Sequence, residues 1–477
     1  MKVDSNFVMS INGDAVTTEH TQPVYNPATR AVFAQVPDAS REQLDQTVGF
    51  ARAALKGWAA TPAEGRQAAL ERYASLIEAH AEEFVSLLTR EQGKPKAGAE
   101  WEVFGSIDWL RAVASQRLPD EVIEDSDDRR VVTRFTPVGV VGAIVPWNFP
   151  ILLAIWKIAP ALMAGCTMIL KPSPYTPLCD LKLVELAQEA FPPGVINAVS
   201  GGDDLGIWMT THPDINKIAF TGSTETGRHV MKSAAETIKR VTLELGGNDP
   251  AIVLPDVDAK TVAPQLFWAA FQNNAQFCNS TKRLYIHEDV YDEVKNALVD
   301  FINENVKVGD GAEADTDLGP IQNSMQYGKV QDYFADCHAN GYGFAVGGDI
   351  DETAAGWFVP VSLVDNPPDD SRIVCEEPFG PILPLLKWSD EADVVARAND
   401  TIYGLGASVW GKDQKAVERI GSQLEAGTVW LNEVHQYSPF QAFGGHKQSG
   451  LGCENSLHGL MEYTNWQTMT LHKKAAV

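Results

Sequence analysis

The chain has 477 residues, 44% of them hydrophobic and 21% charged, which is typical of a soluble globular protein and excludes a disordered or fibrous one. Its 38 Lys and Arg residues are outnumbered by 63 Asp and Glu residues, so the formal net charge is −25. A protein this acidic repels phosphate backbones and anionic lipid surfaces, and we expect neither a nucleic acid nor a membrane as a partner.

Six cysteines are spread along the chain without the CxxC spacing of a zinc or thioredoxin-type motif. A disulfide framework is not expected in a chain of this length, and this cysteine usage is typical of a reducing cytoplasm. The first residues, 1–6, lack the apolar core of a signal peptide. We therefore expect a cytoplasmic protein.

Two N-terminal segments have the apolar periodicity of amphipathic helices. In the second, apolar side chains recur at intervals of three, four and seven residues, at Leu70, Tyr73, Ile77, Phe84 and Leu87. We interpret both segments as helices that pack one face against the core.

The stretch from Phe135 to Leu170 has Lys157 as its single charged residue, so hydropathy alone would allow a membrane span. Prolines at positions 137, 146, 150 and 160 interrupt it. We interpret it as a buried strand followed by a buried helix.

From about residue 137, short apolar runs alternate with helical patterns. The runs that predict strands are 139–145, 167–171, 195–199, 217–220 and 241–245. The helical patterns between them cover about 152–164, 176–190 and 225–239. This alternation predicts an α/β architecture with a doubly wound parallel sheet.

The pattern restarts after the Gly-Gly turn at 246–247. Strands are predicted at 251–254 and 283–286, with a long helix at about 258–275 between them. The alternation continues to about residue 450 and predicts a second α/β domain.

Two alternating segments, 120–135 and 466–471, fit neither domain. Alternation of apolar and polar residues is typical of strands with one solvated face. We predict edge strands that pair with another subunit.

Several common motifs are absent. The sequence lacks the dinucleotide-binding fingerprint GxGxxG, and it lacks HExxH and GxSxG. Gly222 and Gly227 have the glycine spacing of a Walker A motif, but Arg228 and His229 follow them in place of Lys and Ser or Thr. The ten histidines do not cluster at metal-ligand spacing, so we expect no metal.

The first candidate site segment is Pro146-Trp147-Asn148-Phe149-Pro150, directly after a predicted strand. Two prolines hold Asn148 in a rigid turn, where its side-chain amide could donate to a developing oxyanion. The alternative is an Asx turn that caps the following helix.

The second segment runs from Phe220 through Gly222 and Ser223 to Gly227, between a predicted strand and a predicted helix. Small residues at a helix N-terminus expose backbone N–H groups that suit a phosphate. Taken alone, the segment is explained more simply by an ordinary helix cap at Ser223 or Thr224.

The third and fourth segments carry a carboxylate and a thiol. Glu244 lies in an apolar strand that ends at a Gly-Gly turn, where burial would raise its pKa towards that of a general base. The alternative is an ordinary ion pair. Cys278 lies in a polar loop, 274–279, at a helix end, and could be a nucleophile or a small buried hydrophobic residue.

Together and in this order, the four segments resemble the NAD(P)-dependent aldehyde dehydrogenase superfamily. The resemblance covers essentially the whole chain, from Tyr25-Asn26-Pro27 to Glu462-Tyr463-Thr464. Further matching segments are Lys171-Pro172-Ser173, Glu376-Glu377-Pro378-Phe379-Gly380, Gly427-Thr428-Val429-Trp430 and Phe443-Gly444-Gly445-His446-Lys447.

The resemblance implies a covalent mechanism. Cys278 would attack the aldehyde carbon to form a thiohemiacetal, with the Asn148 side chain and the Cys278 N–H as the oxyanion hole. Hydride transfer to the nicotinamide would leave a thioester. Glu244 would be the base that activates water to hydrolyse the thioester to a carboxylic acid.

The resemblance also implies a cofactor site. The expected cofactor residues are Pro146, Trp147, Lys171, Ser173, Gly222, Ser223, Leu245, Glu377 and Phe379. Among them, Lys171 is expected at the adenosine ribose. Gly222 and Ser223 are expected at the pyrophosphate, and Glu377 and Phe379 at the nicotinamide riboside.

The chain departs from the family pattern at four positions. Pro174 stands where a ribose-binding Glu often follows Lys171 by three residues. This loss removes a repulsion against a 2′-phosphate but adds no Arg, so we expect NAD, with NADP also accepted. Asn248, Ala275 and Cys453 replace the commoner Lys, Gly and Arg without touching the expected nucleophile, base or oxyanion donor.

The implied fold has three parts. We expect a Rossmann-like cofactor-binding domain at 1–117 and 137–246 and a second α/β catalytic domain at 247–450. A small β bridging or oligomerisation piece would comprise 118–136 and 451–477. A homodimer or homotetramer is expected.

By the same resemblance, the substrate tunnel is expected to be lined by Leu153, Trp156, Phe277, Asn279, Tyr437 and Phe443. This set is apolar and aromatic and has no Arg to hold a second carboxylate. We therefore expect a medium-chain aliphatic or aromatic aldehyde rather than the semialdehyde of a dicarboxylic acid. The alternative is that these residues mainly pack the domains.

Two other functions compete with this interpretation. A CoA-acylating semialdehyde dehydrogenase would lack the hydrolytic carboxylate, so Glu244 argues against it. A catalytically silent family member is disfavoured because Cys278, Glu244 and Asn148 occur together.

Overall fold

The computed structural model describes residues 6–474. Residues 1–5, most of the segment inspected for a signal peptide, and residues 475–477 lie outside the described part. The strands are β1 (Met9–Ile11), β2 (Asp14–Val16), β3 (Thr21–Asn26), β4 (Ala31–Pro37), β5 (Glu121–Asp125), β6 (Arg129–Pro137), β7 (Val140–Ile144), β8 (Thr167–Lys171), β9 (Ile196–Ala198), β10 (Lys217–Thr221), β11 (Arg240–Glu244), β12 (Asp249–Val253), β13 (Thr281–His287), β14 (Phe344–Val346), β15 (Ser362–Asp365), β16 (Ile382–Trp388), β17 (Gly406–Trp410), β18 (Thr428–Leu431), β19 (Gly450–Leu451) and β20 (Thr464–His472).

The helices are α1 (Arg41–Ala59), α2 (Ala63–Ala79), α3 (Ala81–Gln92), α4 (Lys96–Ala114), α5 (Pro150–Met163), α6 (Leu178–Ala187), α7 (Asp203–Thr211), α8 (Thr224–Ala235), α9 (Ala259–Phe271), α10 (Tyr291–Asn305), α11 (Ser324–Ala339), α12 (Arg372–Cys375), α13 (Glu391–Asn399), α14 (Gln414–Gly421) and α15 (Ser456–Met461). Strands and helices alternate strictly from β7 to β11 and with few exceptions after β12. The predicted α/β class is confirmed.

The first sheet has the order β19-β11-β10-β7-β8-β9-β1-β2. Its five central strands are parallel, and they are the five strands that the apolar runs predict. The predicted parallel sheet is therefore present, and it is extended at both edges, where β19 and the β1–β2 hairpin run antiparallel. Asn12 and Gly13 both have positive φ, and such an Asn-Gly turn matches the twist of a hairpin.

The apolar stretch between Phe135 and Leu170 forms the centre of this sheet. It contains β7, which is buried except at its last residue, and α5. All fourteen residues of α5 are buried. The interpretation as a buried strand followed by a buried helix is confirmed. Within residues 6–474, no helix has both the length and the apolar character that a membrane crossing requires.

The N-terminal region differs from the predicted pair of helices. The second periodic segment is two helices, because the backbone leaves helical geometry at His80, which ends α2 and precedes α3. Leu70, Tyr73 and Ile77 are buried on α2 and Phe84 on α3, so the predicted packing faces are present.

The second sheet has the order β14-β15-β16-β13-β12-β17-β18, and all its strands except β14 run parallel. The predicted strands at 251–254 and 283–286 are the neighbours β12 and β13. The helix before β13 is shorter than predicted, because α9 ends at Phe271 and a single 3₁₀ turn, Gln272–Ala275, follows.

The two alternating segments form a third sheet. β6 lies between β5 and β20 and pairs antiparallel with both. The segments therefore pair with each other inside one chain, and β5 and β20 form the edges of this sheet. Ile123 and Trp466 on these edge strands are exposed by 64% and 72%.

Candidate active site

Four of the parallel strands of the first sheet end at or just before expected site residues, and these residues meet at one edge of the sheet. β11, β10, β7 and β8 are parallel neighbours in this order, so their carboxyl ends lie side by side. Glu244 ends β11, Gly222 and Ser223 follow β10, the turn with Asn148 follows β7, and Lys171 ends β8. The carboxyl edge of a parallel sheet is where α/β proteins commonly bind ligands.

The buried Asn148 side chain faces the loop that carries Cys278. Its Nδ2 donates a hydrogen bond to the Gln276 carbonyl at 3.0 Å. The backbone carbonyl of Asn148 accepts hydrogen bonds from Lys94 Nζ at 2.9 Å and from Asn273 Nδ2 at 3.1 Å. These contacts hold the amide beside the residues that precede the thiol.

Glu102, not Asn148, caps the helix after this turn. Glu102 Oε1 accepts hydrogen bonds from the N–H groups of Ile151 at 2.9 Å and Leu152 at 3.2 Å. The alternative in which Asn148 caps α5 is therefore wrong. Glu102 also forms a buried ion pair with Lys94, whose ammonium contacts the Asn148 carbonyl, so this pair positions both the turn and the helix.

The nucleophile loop begins with an unusual backbone reversal. Asn273, Asn274 and Ala275 have successive φ values of 53°, 57° and 58°. Asn tolerates this left-handed region well, whereas Ala there costs about 1 kcal/mol. Ala275 therefore carries this strain three residues before Cys278, which lines the pocket.

Cys278 lies among four ionisable groups. Burial raises the pKa of its thiol to about 12, and Lys282 opposes this rise. The negative charges of Glu377, Asp249 and Glu244 act in the same direction as burial. The resting thiol is therefore protonated at neutral pH and needs a base and local stabilisation to attack.

Glu244 is 5% exposed, and neither of its carboxylate oxygens has a hydrogen-bond partner. Burial and the nearby charge of Glu454 raise the pKa of Glu244 well above its ordinary value, and Lys157 opposes them. Lys157 Nζ lies 2.6 Å from Glu454 Oε1, so this cation pairs with Glu454. The ordinary ion pair weighed for Glu244 is not what the structure shows.

The thiol and this carboxylate line the same pocket, whose empty space is about 530 Å³ including the part open to solvent. The lining residues are Trp101, Phe149, Leu152, Leu153, Trp156, Thr221, Glu244, Leu245, Phe277, Cys278, Asn279, Tyr437 and Phe443. All six residues expected to contact substrate are among them. Asn279 Nδ2 donates to Tyr437 Oη at 2.6 Å, which fixes two of these side chains.

Four residues of this lining were not among the expected site residues. Trp101 lies on α4, Phe149 directly precedes α5, Leu152 lies in the first turn of α5, and Thr221 ends β10. Trp101 is half-exposed and contacts the Phe149 ring edge-on at 6.2 Å. Trp101 and Phe104 are large apolar residues on the same side of α4, and this pair was the available signal.

The expected adenosine end of the cofactor site contains a buried cation. Lys171 Nζ donates to the Pro172 carbonyl at 3.2 Å, and burial lowers its pKa to about 8. Asp203 and Asp38 oppose this lowering, so both carboxylates lie near the ammonium. Ser173 is buried beside them and accepts from the Tyr175 N–H at 3.3 Å.

The glycine turn after β10 differs from expectation in one respect. The Gly222 N–H donates to the Glu244 carbonyl at 3.0 Å, so it is not free for a phosphate as expected. Ser223 caps α8, with its Oγ accepting from the Thr226 N–H at 3.2 Å. The turn offers the exposed Ser223 hydroxyl and the N-terminus of α8.

The expected nicotinamide end contains a fixed carboxylate. Glu377 Oε1 accepts from the Gly247 N–H at 3.2 Å and lies 3.2 Å from Lys282 Nζ. Phe379 has a strained φ of 50° and contacts the Trp147 ring edge-on at 5.4 Å. A Cβ at Gly246 would collide with the Glu377 carboxylate, so a larger residue there would displace this side chain.

The two remaining expected residues lie between these ends. Pro146 precedes Trp147 in the turn after β7. Leu245 lines the pocket, and its N–H donates to the Ser449 carbonyl at 2.9 Å.

Comparison with known proteins bears on this arrangement. The sequence profile of the aldehyde dehydrogenase family matches residues 15–469. A phenylacetaldehyde dehydrogenase of Pseudomonas fluorescens is 39% identical, over 97% of this chain and 95% of that protein. The NADP-dependent succinate-semialdehyde dehydrogenase GabD of Escherichia coli (strain K12) is 36% identical, over 98% of this chain and 97% of that protein.

A solved structure shares the whole fold. The NAD+ complex of an aldehyde dehydrogenase from Bacillus cereus superposes on this chain with a TM-score of 0.95. The two sequences are 38% identical, and the match covers 98% of this chain and 97% of that one.

Proposed function

The chain belongs to the aldehyde dehydrogenase family and is an NAD(P)-dependent oxidoreductase that converts aldehydes to carboxylic acids; on that premise, we propose that Cys278 is its nucleophile and Glu244 its hydrolytic base. The observation that carries this proposal is the pocket that Cys278 and the unpartnered Glu244 line together. A buried carboxylate without a partner is costly unless it has a chemical role.

In the first step the Cys278 thiol gives its proton to water, and the thiolate Sγ forms a bond with the aldehyde carbon while the π pair of the carbonyl moves to its oxygen, which becomes an oxyanion. Asn148 Nδ2 has two N–H groups, and one of them donates to Gln276, so the second is available to the oxyanion. The Cys278 N–H is the other donor. When bound, the nicotinamide cofactor accepts the hydride from the thiohemiacetal carbon.

The second step hydrolyses the resulting thioester. Glu244 takes a proton from a water molecule as its oxygen attacks the thioester carbon, and the Cys278 thiolate leaves. The raised pKa of Glu244 makes its carboxylate a stronger base than an ordinary Glu. Its lack of hydrogen-bond partners leaves both oxygens free to bind that water.

The cofactor residues fit a dinucleotide. The buried Lys171 ammonium donates to the Pro172 carbonyl, and its remaining N–H groups suit ribose hydroxyls. Ser223 lies at the N-terminus of α8, where a phosphate is favoured. Asp203 and Asp38 place negative charge near Lys171, at the expected position of the adenosine ribose. This supports NAD over NADP, because a 2′-phosphate would be repelled.

The substrate class follows from the pocket wall. Apart from Glu244, its lining has no charged side chain, and six of its members are aromatic. A second carboxylate on the substrate would lose its hydration there without gaining a cation. We therefore assign a medium-chain aliphatic or aromatic aldehyde, as the phenylacetaldehyde dehydrogenase relative also suggests.

An aldehyde panel tests the assignment. We expect kcat/KM for octanal, benzaldehyde and phenylacetaldehyde to exceed that for succinic semialdehyde by about tenfold or more, and NAD to be preferred over NADP. A clear preference for succinic semialdehyde would exclude this substrate class. Turnover that requires CoA would instead favour the acylating alternative, and no turnover with any aldehyde would favour the silent one.

The remaining parts of the proposal concern organisation. We assign cofactor binding to 1–117 and 137–246, the nucleophile domain to 247–450, and bridging to 118–136 and 451–477. The exposed apolar residues of the third sheet support a homodimer or homotetramer, which light scattering after size exclusion would test. All six cysteines are unpaired, which supports a reducing compartment such as the cytoplasm.

A further inference from the structure

A buried lysine lies directly behind the nucleophile. Lys282, near the start of β13, has a side chain only 3% exposed. Its Nζ donates to the Phe277 carbonyl at 3.0 Å and to the Cys278 carbonyl, and it lies 3.2 Å from Glu377 Oε1. The three acceptors match the three N–H donors of an ammonium group.

The contact with Phe277 controls the direction of a catalytic donor. The peptide between Phe277 and Cys278 is trans, so its N–H points away from its carbonyl. The Phe277 carbonyl accepts from Lys282 Nζ, from Ser280 Oγ at 3.0 Å and from the Ser280 N–H at 3.2 Å. Three donors on one side fix the plane of this peptide, and hence the direction of the Cys278 N–H.

The charge of Lys282 acts on the same residue. The charged groups around the Cys278 thiol are Lys282, Glu377, Asp249 and Glu244. Lys282 is the single cation among them, and the three carboxyl groups oppose it. Burial strengthens each of these interactions because little water screens them.

We propose that Lys282 is a positioning residue for the reaction: it orients the Cys278 N–H towards the substrate oxygen and stabilises the Cys278 thiolate from behind. This inference rests on the proposed role of Cys278. Glu377 ties the same ammonium to the cofactor end of the site, so Lys282 links the nucleophile loop to the residue expected at the nicotinamide riboside.

Alkylation of Cys278 by iodoacetamide tests the electrostatic part without aldehyde or cofactor. The rate at the Cys278 peptide would be followed by mass spectrometry between pH 7 and pH 10. We expect Lys282→Met to slow alkylation about tenfold at each pH, because the thiolate loses its cation. Glu377→Gln should speed it several-fold, because the opposing negative charge is removed.

Steady-state kinetics test the orienting part. Lys282→Met should lower kcat by about tenfold or more with a smaller change in the KM for the aldehyde, and Lys282→Arg should recover part of the loss. Lys295→Met is the matched control, because Lys295 pairs with Asp365 and lies outside the site. It should change neither alkylation nor kcat.

The opposite effects of Lys282→Met and Glu377→Gln on the alkylation rate distinguish a positioning residue from a merely structural one. A loosened loop would move both variants in the same direction, and that result would overturn the proposal, as would unchanged alkylation in folded Lys282→Met. If Lys282→Met does not fold, Glu377→Gln decides alone, since slower alkylation there contradicts the account. Full activity of Cys278→Ala would instead reject the proposed nucleophile, whatever the alkylation rates.

Discussion

Two carboxyl groups, those of Glu377 and Glu244, flank the nucleophile and differ in their partners. Glu377 has a backbone N–H and an ammonium within 3.2 Å. Glu244 has no hydrogen-bond partner. Burial raises the pKa of both, but Lys282 and the Gly247 N–H oppose the rise at Glu377, whereas the negative charge of Glu454 adds to it at Glu244.

The difference indicates a division of labour. A carboxylate with fixed partners has one orientation and suits the binding of a ligand. A carboxylate without partners keeps its lone pairs and its basicity for water. The comparison predicts that neutral variants of the two residues fail at different steps, although both residues lie near Cys278.

The largest expected effect comes from Glu244→Gln. Steady-state turnover should fall by about 10²- to 10³-fold, because the water that attacks the thioester loses its base. The first turnover should persist, so a rapid burst of NADH should remain in stopped-flow traces. If the burst is lost together with the steady-state rate, Glu244 acts before hydride transfer, and the predicted difference between Glu244 and Glu377 is wrong.

Glu377→Gln should have a smaller effect, and mainly on the KM for NAD. We expect the KM for NAD to rise about tenfold with a smaller fall in kcat, because the amide keeps the shape but loses the charge that binds the cofactor. Initial rates at varied NAD would measure both. An unchanged KM for NAD would show that this carboxylate does not bind the cofactor.

The pH dependence of turnover sharpens the comparison. The base form of Glu244 is its carboxylate, so kcat should rise as pH rises through the pKa of Glu244, which burial places well above the ordinary value of 4.5. This rise of kcat with pH should be absent from the pH profile of Glu244→Gln and present in that of Glu377→Gln. If kcat of Glu244→Gln still rises with pH in the same range, the titrating group is not Glu244.

A third carboxyl group provides the smallest test. Glu91 accepts hydrogen bonds from the N–H groups of Leu178 at 2.8 Å and Cys179 at 2.9 Å, and burial raises its pKa to about 7. Between its unfolded value of 4.5 and 7, the folded state binds more protons than the unfolded state. Its contribution to stability is therefore present at low pH and lost as pH rises through this window.

Glu91→Gln should consequently reduce the fall in Tm between pH 5 and pH 8, by an amount that corresponds to about 2 kcal/mol. Differential scanning fluorimetry of both proteins would measure it. The pH profile of kcat should not change, because Glu91 is not among the residues that line the pocket. An equal fall in Tm for both proteins would show that Glu91 does not titrate in this range.

Much of the fold was predictable because local patterns agree with the final packing. The apolar runs that predict β7 to β11 remain strands because both faces of the parallel sheet are covered. The break at His80 and the end of α9 at Phe271 were not predictable from periodicity. Both depend on single backbone conformations that leave the apolar spacing unchanged.

The candidate site was predictable where a segment had a distinctive local sequence, as at Asn148, Glu244 and Cys278. It was not predictable where the role depends on distant contacts. Trp101 reaches the pocket through the packing of α4 on α5. Lys282 looks like an ordinary polar strand residue until the fold brings Glu377 to it.

The most direct test of the account is to trap the covalent intermediate. Glu244→Gln would be mixed with NAD and octanal, quenched in acid and examined by intact-mass and peptide mass spectrometry. We predict an octanoyl group on Cys278 in about stoichiometric amount, and none when Cys278→Ala is added to the variant. A full burst of NADH with no adduct on Cys278, or steady turnover by Cys278→Ala alone, would contradict the central claim.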